Sequence, residues 1–510
     1  MHFKVSALLA GLVFTYFVDA LPIPRAIPSP NPKPGLVTLP LKRLEQRSNV
    51  HPLIAHQQNI NRSHRRFARM TGRSEPTSEE LRSNLHKRVL AVSGEEGLVK
   101  RYNRVGVVKG KSKSRLAAGS GAVLASASAT ERHGHSHKGK GRHEGNEDDA
   151  TGSGAATGTT GAAGGVTPAN QPTANNSLGL DIEADDFGYL ATVQIGTPPR
   201  NFLILMDSGS ADLWVGAENC QAQAGGDCGN HTFLGPQSSS SFQDTNTPFK
   251  VTYGTGEVQG SIVQDDIVVA GLALKAHTFG VATTESVQFS DDSTPFDGLM
   301  GLAQSTLSEQ RTLTPIEALA KAGLVQDAIT SYKISRLADN KNDGEITFGG
   351  LDDTKFDSQT LVTLDNVSTQ GFWEGALDAV SVDGTDVGLQ GRTAILDTGT
   401  TLIVAPPADA AAVHNNIQGA RSDGQGGFIV PCAFNSSIAL TFGGTAFAID
   451  PRDIAFQPVD PNNPTGDCIS GISSGSVGGA TEWLVGDVFL KNAYFSTDVT
   501  KNTISLATLV

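Results

Sequence analysis

Cysteine, methionine and tryptophan are scarce in this sequence, with four, four and three residues respectively in a chain of 510. So few cysteines exclude a fold that depends mainly on disulfides. No histidine set lies at ligand spacing near them, so a metal centre is disfavoured and no metal or other cofactor is expected. Four cysteines allow three pairings. We favour Cys220–Cys228 and Cys432–Cys468, because each loop then stays within one half of the chain.

Long apolar runs are confined to the first twenty residues, MHFKVSALLAGLVFTYFVDA. A basic residue, Lys4, precedes an apolar run from Val5 to Val18, and Ala20 supplies the small residue of a cleavage site. The run is short for a bilayer span and predicts a secretory signal peptide at residues 1–20, with a membrane anchor as the weaker alternative. We expect a secreted, extracellular product; an acidic vacuole is the second choice. Three sequons are expected to carry glycans on surface loops: Asn230, Asn366 and Asn435.

Basic residues are few in the second, larger part of the chain. Through Asn175 the sequence has 25 Lys and Arg against 12 Asp and Glu, and after it 14 against 40. The acidic part is not expected to bind nucleic acid or anionic lipid, since both are negatively charged. Its few basic groups leave little positive charge to self-repel at low pH, which favours a protein that works in acid.

Residues 21–175 have no composition that could build a large core. A proline-rich start leads to a basic stretch with helical spacing, and then to a tract rich in Gly, Ala, Ser and Thr that is expected to be flexible. His133, His135 and His137 in this tract could bind a metal, but a solvated linker is the favoured interpretation. We interpret residues 21–175 as a basic prosegment with a flexible low-complexity linker.

From about residue 178, short β-branched and aromatic runs alternate with Gly, Asp, Asn and Pro, which predicts a mostly β protein too large for one sandwich. An apolar run followed by Asp, a hydroxyl residue, Gly and a hydroxyl residue occurs twice. The two copies are Asp207-Ser208-Gly209-Ser210 and Asp397-Thr398-Gly399-Thr400. Each is followed by a second motif, FDGLMGL with Gly301 and WLVGDVFL with Gly486. The repetition predicts two similar lobes, residues 176–355 and 356–510.

Two aspartates at matched places in duplicated lobes predict acid–base chemistry. One such turn could be purely structural, but a pseudo-twofold axis would bring both carboxylates face to face. Carboxylates at hydrogen-bonding distance share one proton over a broad acidic range, because they cannot both ionise cheaply. The ionised member accepts a proton from water, and the protonated member donates to an amide carbonyl.

These motifs, together with YGTG from Tyr253, resemble those of the pepsin-like aspartic endopeptidases, family A1. The resemblance covers about Phe187 to Val510. It implies the bilobal pepsin-like acid protease fold, a fungal-type secreted zymogen and hydrolysis of peptide bonds in proteins. We expect a monomer that binds polypeptide substrates and pepstatin-type inhibitors.

The resemblance also implies roles for the motif residues. Asp207 and Asp397 would be the catalytic pair. Tyr253, Gly254 and Thr255 would lie on a flap, a β-hairpin that closes over the substrate, and Trp214 would hydrogen-bond the Tyr253 hydroxyl.

The turn residues would support the pair. Ser208 and Thr398 would grip across the lobes, and Ser210 and Thr400 would orient the outer carboxylate oxygens. Gly209 and Gly399 would make the turns, and Gly301 and Gly486 would lie where the chain passes close behind each aspartate loop. The family also pairs Cys220 with Cys228 and Cys432 with Cys468.

The sequence departs from the family pattern on the flap. Thr255 replaces the aspartate with which some fungal members accept lysine beside the cut, so hydrophobic residues around the cut are the expected preference. Phe296 would form part of a pocket wall. Glu257 weighs slightly against the preference for hydrophobic residues. Ser208 replaces the commoner threonine but keeps the hydroxyl.

The charge contrast predicts that the prosegment lies in the acidic cleft as an intramolecular inhibitor. We expect the carboxylates in its ion pairs to have depressed pKa values, so that acid releases the segment and self-cleavage follows within about residues 100–178. Lys100-Arg101 offers an additional dibasic cleavage site.

Three other functions fit parts of the sequence. A ligand-binding relative without activity usually lacks an aspartate or a glycine of the pair, and both loops are intact here. A two-carboxylate glycosidase does not require a hydroxyl and a glycine after each aspartate. GISSG, from Gly471, suggests a serine hydrolase but lacks the strand-to-helix context.

Overall fold

The structure is a computed structural model that describes residues 37–40, 42–43, 50–103, 166–167, 182–183, 188–254, 256–292, 294–339, 341–475 and 481–510. Side chains are described within residues 50–94 and within these ranges from 188 onward. The predicted signal peptide, the histidines of the linker and Thr255 lie outside the described residues. Among the described helices, none has the length and apolarity needed to cross a membrane.

The helices of the described residues are short except for the first two. They are α1 (Pro52–Met70), α2 (Ser78–Asn103), α3 (Val287–Ser290), α4 (Pro315–Lys321), α5 (Pro407–Asn415), α6 (Pro451–Ile454) and α7 (Asp487–Leu490). Three 3-10 turns lie at Ser305–Leu307, Leu337–Asp339 and Ser358–Thr360.

Strands make up most of the remaining structure. Those of the first part are β1 (Val37–Pro40), β2 (Lys42–Arg43), β3 (Val166–Thr167), β4 (Ile182–Glu183), β5 (Tyr189–Ile195), β6 (Arg200–Asp207), β7 (Leu213–Ala222), β8 (Gln243–Thr252), β9 (Glu257–Val269), β10 (Leu272–Glu285), β11 (Gly298–Gly301), β12 (Ile329–Lys333) and β13 (Glu345–Phe348). Those of the second part are β14 (Val362–Asp365), β15 (Glu374–Leu377), β16 (Ala379–Val382), β17 (Thr385–Asp386), β18 (Arg392–Leu396), β19 (Ile403–Ala405), β20 (Arg421–Ser422), β21 (Phe428–Pro431), β22 (Ile438–Phe442), β23 (Thr445–Ile449), β24 (Ala455–Pro458), β25 (Asp467–Ser470), β26 (Ile472–Ser474), β27 (Glu482–Val485), β28 (Tyr494–Asp498) and β29 (Thr503–Ala507).

The same local arrangement carries each aspartate loop. In the first lobe β6 pairs in parallel with β11, and Asp207 is opposite Gly301. In the second lobe β18 pairs in parallel with β27, and Leu396, the residue before Asp397, is opposite Val485. Each strand ends in an apolar run, in which Ile204 and Met206 of β6 and Ala394, Ile395 and Leu396 of β18 are buried. The prediction of a mostly β fold with two similar lobes is confirmed.

One antiparallel sheet joins the two parts of the chain. Its strand order is β1-β13-β12-β28-β29-β14, so that β12 and β13 of the first part lie against β28 and β29 of the second. Its outer strand β1 comes from the predicted prosegment, with Val37 opposite Phe348. The sheet fixes the two aspartate-bearing lobes relative to each other.

The two helices of the predicted prosegment, α1 and α2, pack as a pair. Pro52 occupies the first turn of α1, where its missing N–H is not needed, and the His51 side chain accepts a hydrogen bond from the Leu53 N–H. Asn61 of α1 donates to the backbone carbonyl of Leu81 in α2 at 2.9 Å. The α2 backbone breaks at Gly94, where φ is +62°. Lys100 and Arg101 have helical backbone in the last turn of α2.

The structure contains the disulfides Cys220–Cys228 and Cys432–Cys468, the two local pairings. Of the three predicted glycan sites, Asn230 and Asn435 are exposed. The prediction of a glycan-bearing surface loop at Asn366 is wrong. Its side chain is buried, and its amide donates to the Phe372 carbonyl at 2.8 Å and to Asn502 at 2.9 Å. A glycan on that nitrogen would displace these bonds and could not fit the packed loop.

Candidate active site

Asp207 and Asp397 are fully buried and held by matching donors. The Ser210 hydroxyl donates to Asp207 Oδ2 at 2.6 Å, and the Thr400 hydroxyl donates to Asp397 Oδ2 at 2.5 Å. The other oxygen of each carboxylate accepts from a backbone N–H at 2.9 Å, that of Gly209 or Gly399. Each turn therefore fixes its carboxylate through its own hydroxyl and glycine.

Ser208 and Thr398 lock the two loops together. Each backbone N–H donates to the other residue's hydroxyl at 2.9 Å. The Thr398 hydroxyl donates to the Met206 carbonyl at 2.9 Å, and the Ser208 hydroxyl donates to the Leu396 carbonyl at 3.2 Å. Because these four bonds exchange under a twofold rotation, they define the axis between the lobes.

The carboxylates face each other across this axis. A Cβ placed on Gly209 would overlap Asp397 Oδ1, and a Cβ placed on Gly399 would overlap Asp207 Oδ1. Each aspartate therefore lies against the opposite turn, in the space that a larger side chain would fill.

Gly301 and Gly486 lie where the chain passes behind the loops. A Cβ on Gly301 would meet the backbone of Ala211 and Asp212, and a Cβ on Gly486 would meet the Thr400 carbonyl. The Asp487 N–H donates to that same Thr400 carbonyl at 2.8 Å. Only glycine allows this approach.

We expect Gly486→Ala to destabilise the second lobe by about 3 kcal/mol, because the added carbon meets rigid backbone. The midpoint of urea unfolding should fall. Gly375→Ala is the matched control, since its Cβ would meet only the ends of the Leu364 and Ile504 side chains, at 3.1 and 3.9 Å. Equal midpoints for the two variants would contradict the close backbone approach.

The predicted flap residues lie beside the first lobe. Trp214 Nε1 donates to the Tyr253 hydroxyl at 2.8 Å, and both rings pack on Phe289, at centroid distances of 5.3 and 5.6 Å. Burial raises the pKa of Tyr253 well above its ordinary value, so the hydroxyl stays protonated. Phe296 is half-buried and packs edge-on against Phe289, whereas Glu257 pairs with Lys250 at 2.8 Å.

A residue that the sequence did not single out occupies the centre of the site. Arg66, in α1, places its guanidinium between the two carboxylates. Its Nε and Nη2 both donate to Asp397, and Nη2 also donates to Asp207. Burial opposes the charge of Arg66, but the two aspartates together raise its pKa. The cation thus neutralises the pair from the prosegment side.

The expectation that ion-paired carboxylates have depressed pKa values is wrong for Asp397. Burial, the largest cause, raises the pKa of Asp397, and the charge of Asp207 adds to the rise, whereas Arg66 and the Thr400 hydroxyl lower it. Burial and the neighbouring carboxylate together therefore outweigh the pairing with the guanidinium.

Other residues of the predicted prosegment contact both lobes beside the aspartate pair. Arg69 donates to the Thr252 carbonyl at the base of the flap, and a Cβ on Gly254 would lie 2.6 Å from the Arg62 carbonyl oxygen. Arg73 pairs with Glu482 at 3.0 Å, and Arg88 with Asp423 at 2.6 Å. The signal for these contacts was the basic stretch with helical spacing, which could not show which arginine faces which acid.

The sequence matches the family model "Eukaryotic aspartyl protease" over residues 188–509. A "Probable aspartic-type endopeptidase CTSD" of Trichophyton verrucosum is 36% identical over 340 residues, which are 66% of this chain and 64% of the relative. "Aspartic-type endopeptidase ctsD" of Aspergillus fumigatus is 34% identical over 67% of this chain and 70% of the relative. "Pepsin A" of Canis lupus familiaris is 31% identical over 63% of this chain and 81% of its own length. The match thus spans less than two thirds of the Trichophyton protein. With paired aspartate loops and a family match over most of its length, the chain belongs to the eukaryotic aspartyl protease family.

Proposed function

We propose that the protein is an aspartic endopeptidase that hydrolyses peptide bonds in proteins at acidic pH, through a water held between Asp207 and Asp397. The observation that carries the proposal is the symmetric pair itself. Both carboxylates are buried, each is fixed by one hydroxyl and one N–H, and each faces the opposite turn.

The geometry supports a division of labour within the pair. Once Arg66 has left, the space between the carboxylates suits a water molecule. One ionised aspartate accepts a proton from this water, and its protonated partner donates to the carbonyl oxygen of the substrate amide.

An assay on acid-treated precursor tests this function. We expect cleavage of an unfolded protein substrate at about pH 3 to 5, with little activity near neutrality. Pepstatin should abolish the activity, and a metal chelator should leave it unchanged. Cleavage that resists pepstatin, or that requires a metal, would overturn the proposal.

We also propose that the protein is made as a zymogen that activates itself. Arg66 fills the space between the aspartates, and Phe67, the next residue, is fully buried in one apolar cluster with Ile395, Val404 and Leu484. With α1 in place, neither a water nor a peptide can reach the pair. This occupation supports an intramolecular inhibitor that must leave before catalysis.

The apolar pocket around Phe67 also supports a preference for hydrophobic residues at the cut. Ile395 lies two residues before Asp397, so a substrate side chain in this pocket would be next to the reacting bond. Secretion is supported by the two disulfides, which persist in oxidising compartments, and by the first twenty residues.

Two histidines of α1 would make docking of the prosegment weaker in acid, as self-activation requires. His56 is buried, and neither ring nitrogen has a hydrogen-bond partner within the part of the chain that the structure describes. Burial lowers its pKa to about 4; Asp423 opposes this shift, and Arg88 adds to it. Burial also lowers the pKa of His64, whose Nε2 donates to the Ser474 carbonyl at 2.7 Å. Both rings are neutral when docked and gain a proton more readily when released.

The sign follows from proton binding. Between pH 6.5 and about 4 the released His56 holds more protons than the docked one, so falling pH weakens docking. The contribution of neutral His56 to the free energy of docking is complete above pH 6.5 and is lost by about pH 4. The total is on the order of 3 kcal/mol.

We therefore expect His56→Leu to move the activation midpoint of the precursor to lower pH by about half a unit to one unit. The midpoint is measured by following precursor length on gels after timed acid treatment. His86→Leu is the matched control, because His86 is exposed on α2. A midpoint that stays with that of the control would contradict this role of His56.

A further inference from the structure

Asp423 lies in the turn between β20 and β21 and is fixed by bonds within that turn. Its Oδ1 accepts hydrogen bonds from the backbone N–H groups of Gln425, at 2.8 Å, and Gly427, at 2.9 Å. Because the enzyme part of the chain supplies both donors, the carboxylate remains oriented after the prosegment has left.

The other oxygen of Asp423 already holds a basic side chain. Arg88 of α2 donates from Nη2 to Asp423 Oδ2 at 2.6 Å, and both side chains are 5% exposed. Gln57 of α1 accepts a second bond from the same Nη2 at 3.2 Å. His56 also lies here, with Nε2 2.8 Å from the position that a Cβ on Gly427 would take. Arg88, Gln57 and His56 all belong to α1 and α2, the helices of the predicted prosegment.

Release of the prosegment removes these groups together. The acidic side chain then remains at the wall of the cleft without its cation, in a lobe that already carries excess negative charge. A carboxylate with one oxygen fixed by backbone donors and one oxygen free suits a charge-assisted bond to an arginine or lysine.

The helix gives the position of this group along the cleft. Arg66 and Gln57 are nine residues apart in α1. Arg66 contacts the aspartate pair, and Gln57 contacts Arg88, which binds Asp423. Nine helical residues span about 14 Å. An extended peptide rises about 3.3 Å per residue, so about four substrate residues cover the same length.

We propose that Asp423 determines specificity by binding a basic side chain of the substrate about four residues from the scissile bond. The inference rests on the proposed peptidase function. A preference for a basic substrate residue remote from the scissile bond would then accompany the preference for hydrophobic residues next to it.

The test uses the acid-activated enzyme and peptides with one fixed apolar pair at the cut. A single Arg is placed in turn at the third to sixth position on either side, with Gln at the same position as the neutral reference. We expect kcat/KM to be about tenfold higher for Arg than for Gln at one of these positions. Asp423→Asn should bring this ratio to about one by lowering kcat/KM for the Arg peptide.

Asp467→Asn is the matched control, because it removes one charge from β25, which pairs with β21, at an exposed site paired with Arg421. This control should keep the preference for Arg. Equal rates for Arg and Gln peptides at every position in the wild-type enzyme would overturn the inference while leaving the peptidase function intact. Failure to cleave any peptide would overturn both.

Discussion

Asp207→Asn and Asp397→Asn should each lower kcat of the processed enzyme by about 10⁴-fold, with little change in KM. An amide in place of either carboxylate can neither take a proton from water nor share one with its partner. The variants cannot process themselves, so immobilised wild-type enzyme should cut them and then be removed. Initial rates on a quenched peptide give the measurement.

Asp212→Asn is the matched control for these variants. Asp212 is also buried and lies five residues from Asp207, but its Oδ1 accepts from the Ser308 hydroxyl and the Gln310 N–H, and its Oδ2 accepts from the Glu309 N–H, away from the pair. We expect less than a tenfold change in kcat, since the oxygen of an asparagine can still accept both Oδ1 bonds and only the bond from Glu309 is lost. Retention of substantial activity by Asp207→Asn or Asp397→Asn would rule out the paired mechanism.

Arg66→Met should produce a precursor that activates without strong acid. The guanidinium is almost fully buried on two buried carboxylates, and removal of one partner from such a pair costs about 3 to 5 kcal/mol. Docking of the prosegment should weaken by about 100-fold to 4,000-fold, since each 1.4 kcal/mol is tenfold. The measurement is peptide cleavage by fresh precursor across a pH series.

Arg65→Met makes the same change of charge one residue away. Arg65 contacts the Ser78 hydroxyl at an exposed site and has no described contact with the aspartates. It should keep the wild-type activation pH. Arg66→Lys should fall between wild type and Arg66→Met, because a lysine keeps the charge but cannot bridge both carboxylates with a planar fork. An inert Arg66→Met precursor with wild-type activation pH would contradict inhibition by Arg66.

The aspartate loops could be predicted from the sequence because their causes are local. An apolar strand that ends at Asp, followed by a hydroxyl residue and glycine, specifies the turn wherever it occurs. The repetition of the motif then indicates the symmetry. The close approaches at Gly301 and Gly486 were implied by the resemblance to the pepsin-like family, and the structure contains both.

The role of Arg66 could not be predicted in this way. Arg62, Arg65, Arg66 and Arg69 lie within two helical turns, and only the rotation of α1 in the cleft decides which of them reaches the aspartates. The burial of individual side chains could not be predicted from the sequence either. It reverses the pKa direction expected for Asp397, and it encloses Asn366, whose sequon predicted exposure.

The sheet that joins the lobes has a consequence for maturation. Its outermost strand, β1, belongs to the part of the chain that activation would discard, and β13 pairs with β1 on one side and β12 on the other. Removal of β1 would make β13 an exposed edge strand, whose unpaired N–H and C=O groups could pair with an extended peptide. We would expect these groups to pair with another strand, so that activation would change the sheet between the lobes as well as the cleft.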